Sequence, residues 1–174
     1  MYRSLETERL IIQPLALHDR LFIYRLLNTG GWLQNIGDRN IRSEGDATIY
    51  IEQKLADNNY YCHTFRLKDT QEPIGIITFI YRTTQDFPDI GYAMLPEFEK
   101  KGYAYEAVKK YLDTIIAEKI TDKVIAITLS SNTKSIQLLQ RLGLQLEKDF
   151  IEDKTQMSLF SVASEDYHIH TVHG

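Results

Sequence analysis

The sequence predicts one mixed α/β domain, and three observations carry that prediction. Between Ile90 and Ala107 an apolar strand is stopped by Pro96 and gives way to a basic turn with one glycine, Gly102, and then to a helix. Val124-Ile125-Ala126-Ile127-Thr128-Leu129 repeats the theme: a buried strand leads through the polar Ser130 to Ser135 into the periodic apolar run Ile136 to Leu144. Two strand-turn-helix units in tandem imply parallel pairing and a cleft at the strand ends. Around them, Tyr61 to Leu67 with Ile74 to Tyr81, and Gln145 to Ile151 with Gln156 to Val162, read as hairpins. A chain of 174 residues is the size of a single domain, spanning 1–174, and buries about 70% of its unfolded surface without a covalent staple.

In chain order, Arg9-Leu10-Ile11-Ile12-Gln13-Pro14 is the first strand, followed by a helix from Asp19 to Asn28 with Leu21, Phe22, Tyr24, Leu26 and Leu27 as its apolar positions. Thr29-Gly30-Gly31 ends that helix, and Gly30 to Asp38 reads as a long connection containing the lone Trp32. Ser43 or Asp46 caps the next helix, whose apolar positions run from Ala47 to Leu55. The polar turn Asp69 to Pro73 closes the first hairpin. After Gly102, Ala104, Ala107, Val108, Tyr111, Leu112, Ile115 and Ile116 fall on one face of an amphipathic helix. Glu106 near its start reads as a solvated first-turn acid that suits the positive end of the helix dipole.

Composition narrows the function. The formal net charge is −4 and the sequence pI is near 5.7, which argues against a general electrostatic grip on nucleic acid or anionic lipid. Cys62 is the single cysteine; it excludes an internal disulfide and reads as a buried structural thiol in a reducing compartment. The opening Met1 to Glu6 lacks the apolar core of a signal peptide, and the apolar run around Ile74 to Tyr81 is too short to span a bilayer, so a cytoplasmic protein is expected. His168, His170 and His173 have no carboxylate or cysteine framing and read as a tail or last strand, with no metal expected.

The strongest chemical signal is the turn from Lys100 to Ala104. A helix start presents amide N–H groups without intrahelical partners, and its dipole adds about half a positive charge. Gly102 lets the backbone approach an anion closely. A helix beginning at Asn132 offers either an ordinary cap, with Ser135 as its first-turn partner, or an amide and a hydroxyl on one face for a ligand.

These residues resemble the GNAT superfamily of acetyl-CoA-dependent N-acetyltransferases. Glu99, Gly102 and Ala104 occupy the positions of its cofactor turn, while Asn132, Ser135 and Leu142-Gly143-Leu144 match its second signature. The opening Leu5-Glu6-Thr7-Glu8-Arg9-Leu10-Ile11-Ile12 is similar to the start of the RimJ/RimL type, which acetylates protein N-termini. The resemblance implies a mixed, mostly antiparallel seven-stranded sheet in the order β-α-α-β-β-β-α-β-α-β-β, with helices on both faces and a splay between strands 4 and 5. It also implies acetyl-CoA as co-substrate and an amine acceptor, with no nucleic acid or membrane partner; a homodimer is left open.

In that scheme the amine attacks the thioester directly, and no covalent nucleophile is needed. Lys100, Lys101, Gly102, Tyr103 and Ala104 take the pyrophosphate, Met94 and Leu95 the pantetheine arm, and Asn132 the pantetheine amide. Ser135 approaches the sulfur. Two departures stand out: Leu139 sits where many members place a tyrosine that protonates the leaving thiolate, and Glu99 stands where Gln or Arg is common. Asp89, just before the fourth strand, is the best-placed general base, against its reading as a solvated loop acid. At pH 7 an α-amino group of pKa about 8 costs only ~1.4 kcal/mol to deprotonate and a lysine near 10.4 costs ~4.6, so a weak base suits a peptide or protein N-terminus. Small amines are the second acceptor class, and a non-catalytic acyl-CoA-binding module is the reading from another class. Trp32 is expected either in the acceptor wall or as an aromatic plug over the core.

Overall fold

The computed structural model describes residues 3–167; the histidines of the C-terminal tract lie outside that range. Eight strands form one sheet: β1 (Leu5–Glu6), β2 (Leu10–Pro14), β3 (Tyr60–Leu67), β4 (Pro73–Ile80), β5 (Asp89–Met94), β6 (Lys123–Leu129), β7 (Gln145–Glu152) and β8 (Thr155–Ala163). Their order is β1-β2-β3-β4-β5-β6-β8-β7. Every neighbouring pair is antiparallel except β5 with β6.

Among the described residues five α-helices flank the sheet: α1 (Arg20–Leu27), α2 (Gly30–Asn35), α3 (Glu44–Ala56), α4 (Tyr103–Ala117) and α5 (Thr133–Arg141). Period-2 alternation along the strands divides the interior into two cores. Ile77, Phe79 and Ile90 join Val108, Leu112 and Ile115 of α4 and Leu138 and Leu139 of α5. On the opposite face Cys62, Ile76 and Leu95 join Ile23 and Leu26 of α1, Trp32 of α2, and Ala47 and Ile51 of α3. Burial of Cys62 in that second core pushes its thiol up to about 12, so it is an inert core group.

Two expectations are corrected here. The sheet has eight strands where seven were expected: the extra one, β1, pairs Leu5 with Ile12 and Glu6 with Ile11, and two residues are too few to show a period. The Gly30 to Asp38 connection contains α2, which two adjacent glycines had obscured. Thr29 starts that helix by accepting the Trp32 amide at 3.3 Å, and the burial of Trp32 offsets the poor helix propensity of glycine.

Gly75 is set by packing. A Cβ there would stand 2.1 Å from Cζ of Phe65 and 2.7 Å from the Ala93 carbonyl oxygen, so only glycine admits the fully buried Phe65 ring beside β4.

Candidate active site

The site is where β5 and β6 part. Their parallel register is limited to Asp89 opposite Ile125, with the Ile125 amide donating to the Pro88 carbonyl at 3.0 Å. One step further, the Ile127 amide donates instead to Oδ1 of Asp89 at 3.2 Å. Oδ2 of Asp89 accepts from Nε of Arg82 at 2.6 Å. The carboxylate thus occupies the point at which the ladder stops. Beyond it each strand is held only from its outer side: β5 stays paired with β4 as far as Met94 opposite Gly75, and β6 with β8 as far as Leu129 opposite Met157. The result is a V-shaped cleft with an open mouth at the carboxyl ends of both strands.

Backbone polar groups of consecutive strand residues point to opposite edges. The Leu95 amide donates to the Ile74 carbonyl at 2.8 Å on the β4 side, so the backbone groups of Tyr92 and Met94 face the cleft. Of the two residues expected along the pantetheine arm, Met94 presents its backbone groups to the cleft, as does Tyr92, whereas Leu95 has its amide committed to β4 and its side chain 1% exposed in the second core.

At the mouth, Pro96–Phe98 form a short 3₁₀ turn. The chain then passes through Lys100 with φ 62° and Gly102 with φ 82° before α4 begins. Two left-handed residues in three positions fold the turn back on the helix start, and Gly102 is the N-cap without a side chain to satisfy the first-turn amides. Those donors lie beside the exposed Lys100 and Lys101, and Tyr103 and Ala104 are the first residues of the helix. Glu99, whose charge opposes a phosphate, is engaged by Nζ of Lys134 at 2.7 Å. That ion pair bridges the turn after β5 and the start of α5, across the cleft mouth.

On the α5 side, Oδ1 of Asn132 accepts the Ser135 amide at 3.2 Å. Its oxygen is spent on the cap, and its side-chain NH₂ is the group left to donate. Ser135 is half-buried, and its side chain stands close enough to the Tyr92 hydroxyl to influence the phenol's ionisation. Burial pushes the Tyr92 phenol up, and the Ser135 side chain opposes that shift in part. Leu139, at the position where a tyrosine was missed, is 3% exposed in the core. A tyrosine does stand near Ser135, but from β5; its sequence signal is alternation, which sets Tyr92 on the same face as Ile90 and Met94.

Asp89 is no solvated loop acid. It is 4% exposed, and burial raises its pKa above 3.8 despite the opposing Arg82. Trp32 is 6% exposed within the second core, and its indole N–H donates to the Gly37 carbonyl at 3.1 Å. Of its two expected placements, this burial matches the plug. Among the described residues no group of three or more His, Cys, Asp or Glu is placed to hold a metal ion, and no helix is long and apolar enough to cross a membrane.

A mixed sheet opened at its parallel pair, with the unpartnered amides of a helix start at the mouth of the opening, is the frame that these residues share. The chain belongs to the GNAT acetyltransferase family: the sequence profile of the acetyltransferase (GNAT) domain matches residues 9–145, and the protein is an N-acetyltransferase. It is 25% identical over 144 residues to the uncharacterized N-acetyltransferase YnaD of Bacillus subtilis strain 168, covering 83% of this chain and 84% of that protein. Its fold matches the ribosomal-protein-S5-alanine acetyltransferase of Vibrio fischeri with a TM-score of 0.80 at 18% identity, over 96% of this chain and 100% of that one. It also matches RimL, the ribosomal L7/L12 α-N-protein acetyltransferase, in complex with coenzyme A, with a TM-score of 0.80 at 11% identity over 92% and 98% of the two chains.

Proposed function

We propose that the protein transfers the acetyl group of acetyl-CoA to a primary amine, with a peptide or protein N-terminus as the acceptor. The observation that carries this reading is the arrested β5–β6 ladder, which leaves Tyr92 and Met94 backbone groups facing a cleft that opens onto the Lys100 to Ala104 turn. A pantetheine arm adds to the Tyr92–Met94 edge as a short extra strand. The turn amides and the lysines take its pyrophosphate, and the side-chain NH₂ of Asn132 donates to the arm.

The chemistry needs one bond made and one broken. The amine lone pair attacks the thioester carbonyl carbon, backbone N–H groups of the cleft edge stabilise the oxyanion, and the C–S bond then breaks. The thiolate takes a proton relayed through the Ser135 hydroxyl, which recovers one from the nearby Tyr92 phenol, itself reprotonated from solvent so that no alkoxide is left; the amine surrenders its proton to a base. Asp89 is the candidate base: it lies at the cleft floor, and burial moves its pKa in the direction a base requires. Its oxygens also hold Arg82 and the Ile127 amide, so the proton reaches it through a group that displaces one of these.

The test is a panel of small amines, lysine-containing peptides and peptide N-termini assayed for CoA release, with the pH–rate profile of Asp89→Asn on the best substrate. Turnover with free N-terminal peptides, lost when they are N-terminally blocked, supports the acceptor assignment; turnover confined to small amines overturns it. An Asp89→Asn enzyme that keeps the wild-type acid limb and rate removes Asp89 from proton transfer.

A further inference from the structure

The stretch Thr7-Glu8-Arg9-Leu10, read in the sequence as a mark of resemblance, has a mechanical task in the fold. Thr7 and Leu10 close a tight turn between β1 and β2: the Thr7 amide donates to the Leu10 carbonyl at 3.0 Å and the Leu10 amide to the Thr7 hydroxyl at 2.9 Å. That turn delivers Arg9 to the first turn of α4. Oε1 of Glu106 accepts from the Thr7 hydroxyl at 2.5 Å and the Arg9 amide at 3.0 Å. Oε2 accepts from Arg9 Nε at 2.7 Å and lies 2.6 Å from its Nη2. The remaining arm, Nη1, donates to the Lys101 carbonyl at 3.0 Å, and the guanidinium lies over the Tyr103 ring at 4.4 Å.

Every part of Arg9 is thus directed at the turn that reads as the pyrophosphate site. The Lys101 carbonyl lies between the two left-handed residues, Lys100 and Gly102. In a trans peptide the carbonyl of one residue and the N–H of the next point in opposite directions. Fixing the Lys101 carbonyl on Arg9 therefore aims the Gly102 N–H away from the strap, toward the open side of the turn. The charge of Arg9 is met by Glu106, so its contribution to an anion is shape rather than charge.

We propose that Arg9 and Glu106 form a strap that sets the conformation of the phosphate-binding turn, with Arg9 a positioning residue that aims the turn amides at the pyrophosphate without touching it. The proposal rests on the acetyl-CoA reading above.

The test uses wild type, Arg9→Gln, Arg9→Lys and Glu106→Gln. CoA affinity is measured by calorimetry, acetyl transfer from acetyl-CoA and from S-acetylpantetheine by steady-state kinetics, and folding by thermal unfolding. Arg9→Gln is expected to weaken CoA binding about tenfold or more, and Arg9→Lys to fall with it, because an ammonium cannot bond Glu106 and the Lys101 carbonyl together in fork geometry. The discriminating variant is Glu106→Gln. It removes a negative charge beside the phosphates, so simple electrostatics predicts tighter binding, whereas the strap predicts binding weakened about fivefold. S-acetylpantetheine lacks the nucleotide diphosphate, and its KM is expected to be unchanged in all three variants.

Tighter CoA binding by Glu106→Gln, or wild-type affinity in Arg9→Lys, would show that Arg9 acts by charge and overturn the proposal. So would an equal loss with S-acetylpantetheine, which marks general damage to the fold. Should Arg9→Gln fail to fold, the other two variants decide alone. Wild type that does not bind CoA overturns the acetyl-CoA reading itself, a failure visible before any variant is made.

Discussion

Ser135 and Tyr92 show how one hydroxyl gains meaning from its neighbour. A lone serine in the first turn of a helix is usually a capping partner, and its amide does serve the Asn132 cap; its side chain, however, also stands close enough to Tyr92 to influence that phenol's ionisation. If the pair protonates the thiolate, Ser135→Ala lowers kcat about tenfold or more with little change in acetyl-CoA affinity. Single-turnover kinetics with calorimetry checks this, and an unchanged rate leaves solvent to protonate the thiolate. Trp32 points the other way. With its ring in the core and its N–H spent on Gly37, Trp32→Ala is expected to cost about 3–5 kcal/mol of stability, read from denaturant unfolding. A small stability loss with a raised acceptor KM would return Trp32 to the acceptor wall.

At the scale of elements, the strand-turn-helix from β5 to α4 carries the cofactor argument. Gly102 adopts φ 82°, and a Cβ there would lie 3.4 Å from Nη2 of Arg9. A β-branched side chain is strained by the backbone and presses on the strap, so Gly102→Val should weaken acetyl-CoA binding by at least ~2 kcal/mol in folded protein. Wild-type affinity by calorimetry would place the cofactor elsewhere. This unit was legible in the sequence because strand apolarity, a proline stop, one glycine and an amphipathic stripe all fall within one short stretch. Other features were not. β1 is too short to show a period, and two glycines concealed α2. The wedge role of Asp89 depends on an amide 38 residues away. The Arg9–Glu106 contact spans 97 residues, so Glu106 read in the sequence as a solvated acid is in fact the anchor of the strap. Local chemistry is written in short windows; which distant groups meet is decided only when the sheet assembles.

For the whole molecule, the ionisable groups at the site pull stability in opposite directions with pH. Burial raises the Glu106 pKa, but hydrogen bonds from Thr7 and Arg9 outweigh it and hold the carboxyl below 4.5. A depressed carboxyl stabilises the fold above its unfolded value, and that stability is lost as pH falls through the folded value. Asp89, raised above 3.8 by burial, has the opposite sign: its ionisation weighs against the fold as pH rises. The acid limb of wild-type stability therefore contains a Glu106 component, and Glu106→Gln should flatten that limb in denaturant melts from pH 7 down to about 3. A limb of unchanged slope would show that the strap contributes nothing to the fold.

Amide hydrogen exchange with and without acetyl-CoA tests whether the cofactor lies in the cleft opened between β5 and β6 with its phosphates on the turn before α4. New protection is expected at Tyr92 and Met94 on the free edge of β5 and at Gly102, Tyr103 and Ala104 in the turn, with α1 to α3 and β7 unchanged. Saturating acetyl-CoA that leaves those five amides exchanging at their free rates, or that protects a different surface, would contradict it.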